Sequence, residues 1–126
     1  MKKVIATTAA PAAIGPYSQG IDGGSVVITS GQIPLDPATG AFAAADVAGQ
    51  TRQCLKNVGA VLAEAGLGME NIIKTTVFLK DMNDFAAMNE VYAAFFPGEP
   101  PARSAVEVAR LPKDALVEIE AIAVRS

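Results

Sequence analysis

The chain has 126 residues, no histidine, no tryptophan and one cysteine, and its formal net charge is −3. Without an imidazole, Ser-His-Asp and Cys-His nucleophile systems are excluded, and one Cys alone cannot supply the three or four ligands of a zinc site. An intramolecular disulfide is impossible, and so acidic a chain is not expected to track nucleic-acid phosphates. Any proton transfer must therefore run on carboxylates, Tyr, Lys or bound water. Hydrophobic residues make up 51% and charged residues 18%, which predicts one folded domain over residues 1–126 with apolar surface to spare for subunit contacts. No stretch is long enough to span a membrane. The run Val4-Ile5-Ala6 is too short for a signal peptide, so the expected location is the cytoplasm.

In chain order, a first strand begins at Lys3 and a short one covers residues 17–21. Asp22-Gly23-Gly24 reads as a turn, residues 25–33 as a strand centred on Val26, Val27 and Ile28, and Pro34 to Gly40 as a loop. Asp46 is a good N-cap for a helix over residues 47–65, whose apolar positions Val47, Cys54, Leu55, Val58, Val61, Leu62 and Ala65 form one stripe. Gly66 supplies the C′ position. A strand over residues 72–80 follows, with Ile72 and Phe78 on one side and Ile73, Val77 and Leu79 on the other. Asn83 or Asp84 caps a second helix carrying Phe85, Met88, Tyr92, Phe95 and Phe96, ended by Pro97-Gly98. Strands over 102–108 and 116–125 close the chain, joined by a turn at Leu111 to Asp114. The order β, β, β, α, β, α, β, β predicts an α+β fold, a mixed sheet with two helices on one face. The uncovered face then packs most simply against other subunits, and small-molecule clefts favour such interfaces.

The segment Pro100-Pro101-Ala102-Arg103-Ser104-Ala105 and the last strand carry the most chemical information. If the two final strands form an antiparallel hairpin, Arg103 sits opposite Glu118 in one register and opposite Glu120 in the next, beside a carboxylate either way. One reading is an exposed cross-strand ion pair, worth little. The other is an Arg fork for a ligand carboxylate with a Glu poised to shuttle protons. Burial would raise the pKa of that Glu and the Arg would lower it, which leaves the sign open. Asn89, on the apolar side of its helix, makes either a structural hydrogen bond or a ligand contact. Tyr17 and Ser30 read alone as turn chemistry, and Cys54 as a buried, inert thiol. There is no phosphate loop and no calcium loop.

Taken together, the motifs resemble the YjgF/Rid family, and within it the RidA-type enamine/imine deaminases. They are Gly15-Pro16-Tyr17-Ser18-Gln19, Thr29-Ser30-Gly31-Gln32-Ile33-Pro34, Thr75-Thr76-Val77-Phe78-Leu79, Asn89-Glu90-Val91-Tyr92, Pro101-Ala102-Arg103-Ser104 and Val117-Glu118-Ile119-Glu120-Ala121. The resemblance implies a chorismate-mutase-like homotrimer with clefts between subunits. It implies hydrolysis of 2-iminobutanoate and 2-iminopropanoate, or their enamine tautomers, to 2-keto acids and ammonia, without metal or cofactor. It implies that the imines come from pyridoxal-phosphate-dependent dehydratases. It gives Arg103 the substrate carboxylate and Glu118 the attacking water. It also implies that Tyr17, Ser30 and Asn89 shape the pocket and that the Gly31 backbone contacts the ligand. Active members often carry Cys two residues after the Arg. Here Ala105 stands there, so only its backbone can contribute.

Other classes are a non-catalytic trimeric binder of 2-keto acids, an RNA-cleaving translation inhibitor and a chaperone-like surface. The acidic charge and the missing histidine weigh against the RNA-cleaving class.

Overall fold

The structure is a computed structural model that describes all residues, Met1–Ser126. Its strands are β1 (Lys3–Ile5), β2 (Gly20–Asp22), β3 (Val26–Thr29), β4 (Ile72–Leu79), β5 (Ala102–Glu107) and β6 (Val117–Val124); its helices are α1 (Val47–Glu64) and α2 (Phe85–Ala94). The expected element order holds, and most boundaries fall within two residues of expectation. The larger departures are at the second and third strands. Tyr17 precedes β2 rather than opening it, and β3 ends at Thr29 rather than running to Ile33.

Helix α1 starts where Asp46 Oδ1 accepts the Gly49 N–H at 3.2 Å and ends with Gly66 in the left-handed region at φ 80°, which glycine adopts without a Cβ penalty. Its stripe of Cys54, Leu55, Val58, Val61 and Leu62 is fully buried against the sheet. Three buried polar side chains interrupt that stripe usefully. Asn57 donates to the carbonyls of Ile33 and Leu35 at 3.1 and 3.0 Å, and Gln50 Oε1 accepts the Leu116 N–H at 2.8 Å. These bonds tie the irregular segments before β6 and after β3 to the helix. Thr51, the third, has a hydroxyl without a partner.

The sheet order is β1-β2-β3-β6-β4-β5. This corrects the expected terminal hairpin. β6 inserts between β3 and β4, antiparallel to both, and β5 lies parallel to β4 at the sheet edge. The segment β4–α2–β5 is thus a βαβ unit, in which the helix returns the chain so that the strands run the same way. A β-bulge between Ile72 and Lys74 makes a second correction. It turns Ile72 into the core with Val77 and Leu79 and leaves Ile73 exposed, so Ile72 does not share a side with Phe78.

Both helices cover one face of the sheet, over Val77, Leu79, Val117, Ile119, Ala121 and Ala123. The other face carries Val26, Ile28, Val106 and Ile122, each 38–44% exposed. That is an apolar surface without cover in a single chain.

Candidate active site

The candidate residues fall into two groups on opposite faces of the sheet. Arg103 lies on the helix side of β5, paired in register with Thr75 of β4. It is half-buried. The chain's ion pairs within 4.0 Å are Arg110–Asp114 and Arg125–Asp22, and Arg103 is in neither. The expected carboxylate neighbour is therefore absent, both as surface ion pair and as poised base. Instead Arg103 Nη1 donates to Asn89 Oδ1 at 2.6 Å. The guanidinium lies over the rings of Tyr92 and Phe85, 4.8 and 5.4 Å from their centroids. Phe85, Asn89 and Tyr92 follow helical spacing, which is why one face of α2 presents all three to the same cation. A cavity of about 630 Å³ opens beside them, lined by Asn89, Tyr92, Phe96, Pro101 and Arg103 among others. Asn89 makes a structural hydrogen bond, and the residue it holds is the candidate ligand-binding one. Ala105 follows two residues on, half-buried against the core. As β5 is an edge strand, one row of its backbone groups is unpaired.

Glu118 and Glu120 point to the other face from β6, opposite Phe78 and Thr76 of β4. With Arg103 across the sheet, nothing offsets the desolvation of Glu118. Burial, with repulsion from Glu120 added, pushes its carboxyl above the ordinary value of 4.5. Within a single chain the direction is therefore upward. Gly31 sits directly over this carboxylate: a Cβ there would collide with the Glu118 Oε2. The bridge between Gln32 and Ile119 fixes the approach. Ser30 Oγ donates to the Ser18 carbonyl at 2.6 Å, so its hydroxyl clamps the loop that carries Tyr17. Tyr17 is 52% exposed, with its hydroxyl accepting the Ile14 N–H at 3.3 Å. A cleft of about 290 Å³ runs along this side, lined by Ile14, Tyr17, Gly31, Gln32 and Lys113 among others.

Glu118 and Arg103 are separated by β4 as well as by the sheet itself. Two strand spacings put them about 10 Å apart laterally before the difference in face is counted. One chain therefore brings together Tyr17, Ser30, Gly31 and Glu118, and separately Arg103, Asn89 and Ala105. It does not join the two groups.

Some site features escape the sequence reading. The Gln19 side chain accepts the Thr7 N–H at 2.6 Å and donates to the Thr7 and Pro11 carbonyls at 2.9 and 2.7 Å, holding the loop before Tyr17. Its place in the Gly15–Gln19 motif was the available signal. The rings under Arg103 were signalled only by their spacing around Asn89. Lys113 lines the cleft from a left-handed backbone at φ 56°, which nothing in the local sequence announces. Cys54 is buried as expected, and burial, with Glu118 nearby, keeps its thiol well above its ordinary pKa.

The sequence profile of the endoribonuclease L-PSP family matches residues 7–125. A Salmonella typhimurium protein named 2-iminobutanoate/2-iminopropanoate deaminase is 64% identical over 128 aligned positions, covering 99% of both chains. The crystal structure of the Escherichia coli YjgF gene product superposes with a TM-score of 0.95 at 61% identity, over 98% of this chain and 99% of that one. That of E. coli TdcF with bound serine gives 0.95 at 58%, with the same coverage. With a fold shared throughout and motifs matched along nearly its whole length, the chain belongs to the endoribonuclease L-PSP family, that of the YjgF/RidA proteins.

Proposed function

We propose that the protein is a 2-iminobutanoate/2-iminopropanoate deaminase that hydrolyses the C=N bond without a cofactor, in clefts between the subunits of a homotrimer. One observation carries this reading: Arg103 is half-buried, braced by Asn89 and two rings, and has no carboxylate partner in its own chain. Such a guanidinium fork is built for an external carboxylate. The names of the full-length relatives, at 64% and 62% identity, support the substrate.

The chemistry suits a chain without histidine. The imine carbon is already electrophilic, so placement of water and one proton carrier suffices. Arg103 holds the substrate carboxylate, and the Gly31 and Ala105 backbones and the Tyr17 ring bound the pocket. Glu118, ionised, takes a proton from water as the water oxygen bonds to the carbon of the protonated imine and the C=N π pair returns to nitrogen. The same carboxyl then gives that proton to the nitrogen and takes the hydroxyl proton as the C–N bond breaks, leaving the 2-keto acid and ammonia, which carries that last proton away as ammonium. Burial within its own chain raises the pKa of Glu118, which favours its action as a base.

Because the two groups lie on opposite faces, assembly has to supply Arg103 from one subunit and Glu118 from its neighbour. The uncovered apolar face with Val26, Ile28 and Ile122 is the surface available for that contact. The test is complementation. An amino-acid dehydratase generates the imine, and semicarbazide traps what is not hydrolysed. Homotrimers of Arg103→Ala and of Glu118→Gln should each keep only a small residual activity. Trimers reassembled from equal amounts of both chains should recover activity at about a quarter of their sites, those with an intact Arg facing an intact Glu. No recovery on mixing would mean that both residues act from one chain. Keto-acid binding by the wild type without imine turnover would make the protein a binder rather than an enzyme.

A further inference from the structure

We propose that Tyr92 is a positioning residue for the substrate-binding arginine: its ring, anchored at the far end by Thr75, forms the platform that aims the free N–H groups of Arg103 at the ligand. The inference rests on the carboxylate-binding role of Arg103 given above.

Three observations meet here. Arg103 and Thr75 are register partners on adjacent parallel strands, so their side chains stand side by side on the helix face of the sheet. Tyr92 reaches down from α2 and touches both. Its hydroxyl is 2.6 Å from Thr75 Oγ1, and its ring centroid is 4.8 Å from the Arg103 guanidinium carbon. Thr75 is fully buried and Tyr92 only 5% exposed, so the hydrogen bond is shielded from water and its loss would strand a buried hydroxyl. Burial also raises the Tyr92 pKa, which keeps the phenol protonated and able to share that bond at neutral pH.

The platform explains how an unpaired cation is kept in place. Of the five N–H groups of an arginine, a single bond to Asn89 accounts for one. The remainder have no partner in the chain. Without a carboxylate to hold it, a flexible arginine stem would sample many rotamers, and each ligand-binding event would have to order it. The electron-rich face of a ring supplies attraction without occupying an N–H group. Phe85 adds a second face at 5.4 Å. Rings below and Asn89 at one end leave the outer edge of the fork open toward the cavity lined by Pro101 and Phe96.

The experiment measures 2-oxobutanoate binding by calorimetry and imine turnover, for wild type, Tyr92→Leu, Tyr92→Phe, Phe85→Leu and Arg103→Ala. Tyr92→Leu, which removes the ring and the bond, should weaken keto-acid binding about tenfold and raise KM in proportion, with kcat within twofold. Tyr92→Phe, which keeps the ring but frees it from Thr75, should weaken binding about threefold, as should Phe85→Leu, which leaves the buried pair intact. A merely structural Tyr92 gives a different result: lower melting temperatures for the Tyr92 variants with unchanged affinity in the folded protein, and that result overturns the inference. If Tyr92→Leu does not fold, Tyr92→Phe and Phe85→Leu binding as tightly as wild type overturns it equally. An Arg103→Ala variant that binds the keto acid like wild type overturns the underlying reading of Arg103, and this inference with it.

Discussion

Gly31→Ala is the sharpest probe of the Glu118 half of the site. Gly31 is not in the left-handed region, so alanine fits the backbone, and any effect comes from the added methyl. That methyl would overlap Glu118 Oε2 and lie 2.9 Å from its Cδ and 3.2 Å from its Cγ. The obstructed atoms are the end of a flexible side chain. The chain should therefore fold, with a stability cost of about 1 kcal/mol, by swinging the carboxylate aside. The swing needed to restore van der Waals contact is on the order of 1 Å, a misplacement that costs about 10²-fold in rate. The dehydratase-coupled assay should show that loss in kcat, with a melting temperature within a few degrees of wild type. In a Glu118→Gln background the same substitution should cost less than about threefold more, because residues that act as one unit do not add. Two results would refute the reasoning: Gly31→Ala within about threefold of wild type, or losses that multiply in the double variant.

Two further predictions concern stability. The raised carboxyl pKa of Glu118 means that the folded chain holds this proton more tightly than the unfolded chain. Its stabilising contribution is thus complete below the unfolded pKa and is lost as pH rises through the folded one. The permanently neutral Glu118→Gln should accordingly unfold at a higher temperature than wild type at pH 7, with the gap closing toward pH 4; a variant less stable at pH 7 would contradict the assignment. Lys113, at φ 56°, occupies a conformation that costs an L-residue roughly 1–2 kcal/mol. Lys113→Gly should raise the melting temperature by about 2–4 °C at equal protein concentration, and a decrease would show that the Lys113 side chain stabilises the turn.

Local signals were largely legible in the sequence. Asp46 and Gly66 mark the ends of α1 because capping is short-range chemistry. The stripe from Val47 to Leu62 marks its buried face for the same reason. Strand partnership was not legible. Two strands joined by a short turn read as a hairpin, yet the strand–helix–strand run from residue 72 to 107 competes for the same strand, and the parallel βαβ pairing prevails. That single difference moves Arg103 from beside a glutamate to beside Thr75, and it turns one supposed site into two halves. The bulge at Ile72–Lys74 was invisible because strand alternation assumes a regular ladder, and one extra residue reverses every side chain before it. Asn89 was legible as a polar residue needing a partner, but its partner came from the fold.

The place of β6 has a consequence for biosynthesis. The last of the six strands is the one joined to both β3 and β4. A nascent chain can form the β1–β2–β3 meander and the β4–α2–β5 unit as they emerge, but these are separate fragments with exposed strand edges until residues 117–124 leave the ribosome. Folding is thus held back until the final strand arrives and joins the two fragments at once. During that interval the open edges of β3 and β4 are what a chaperone has to shield.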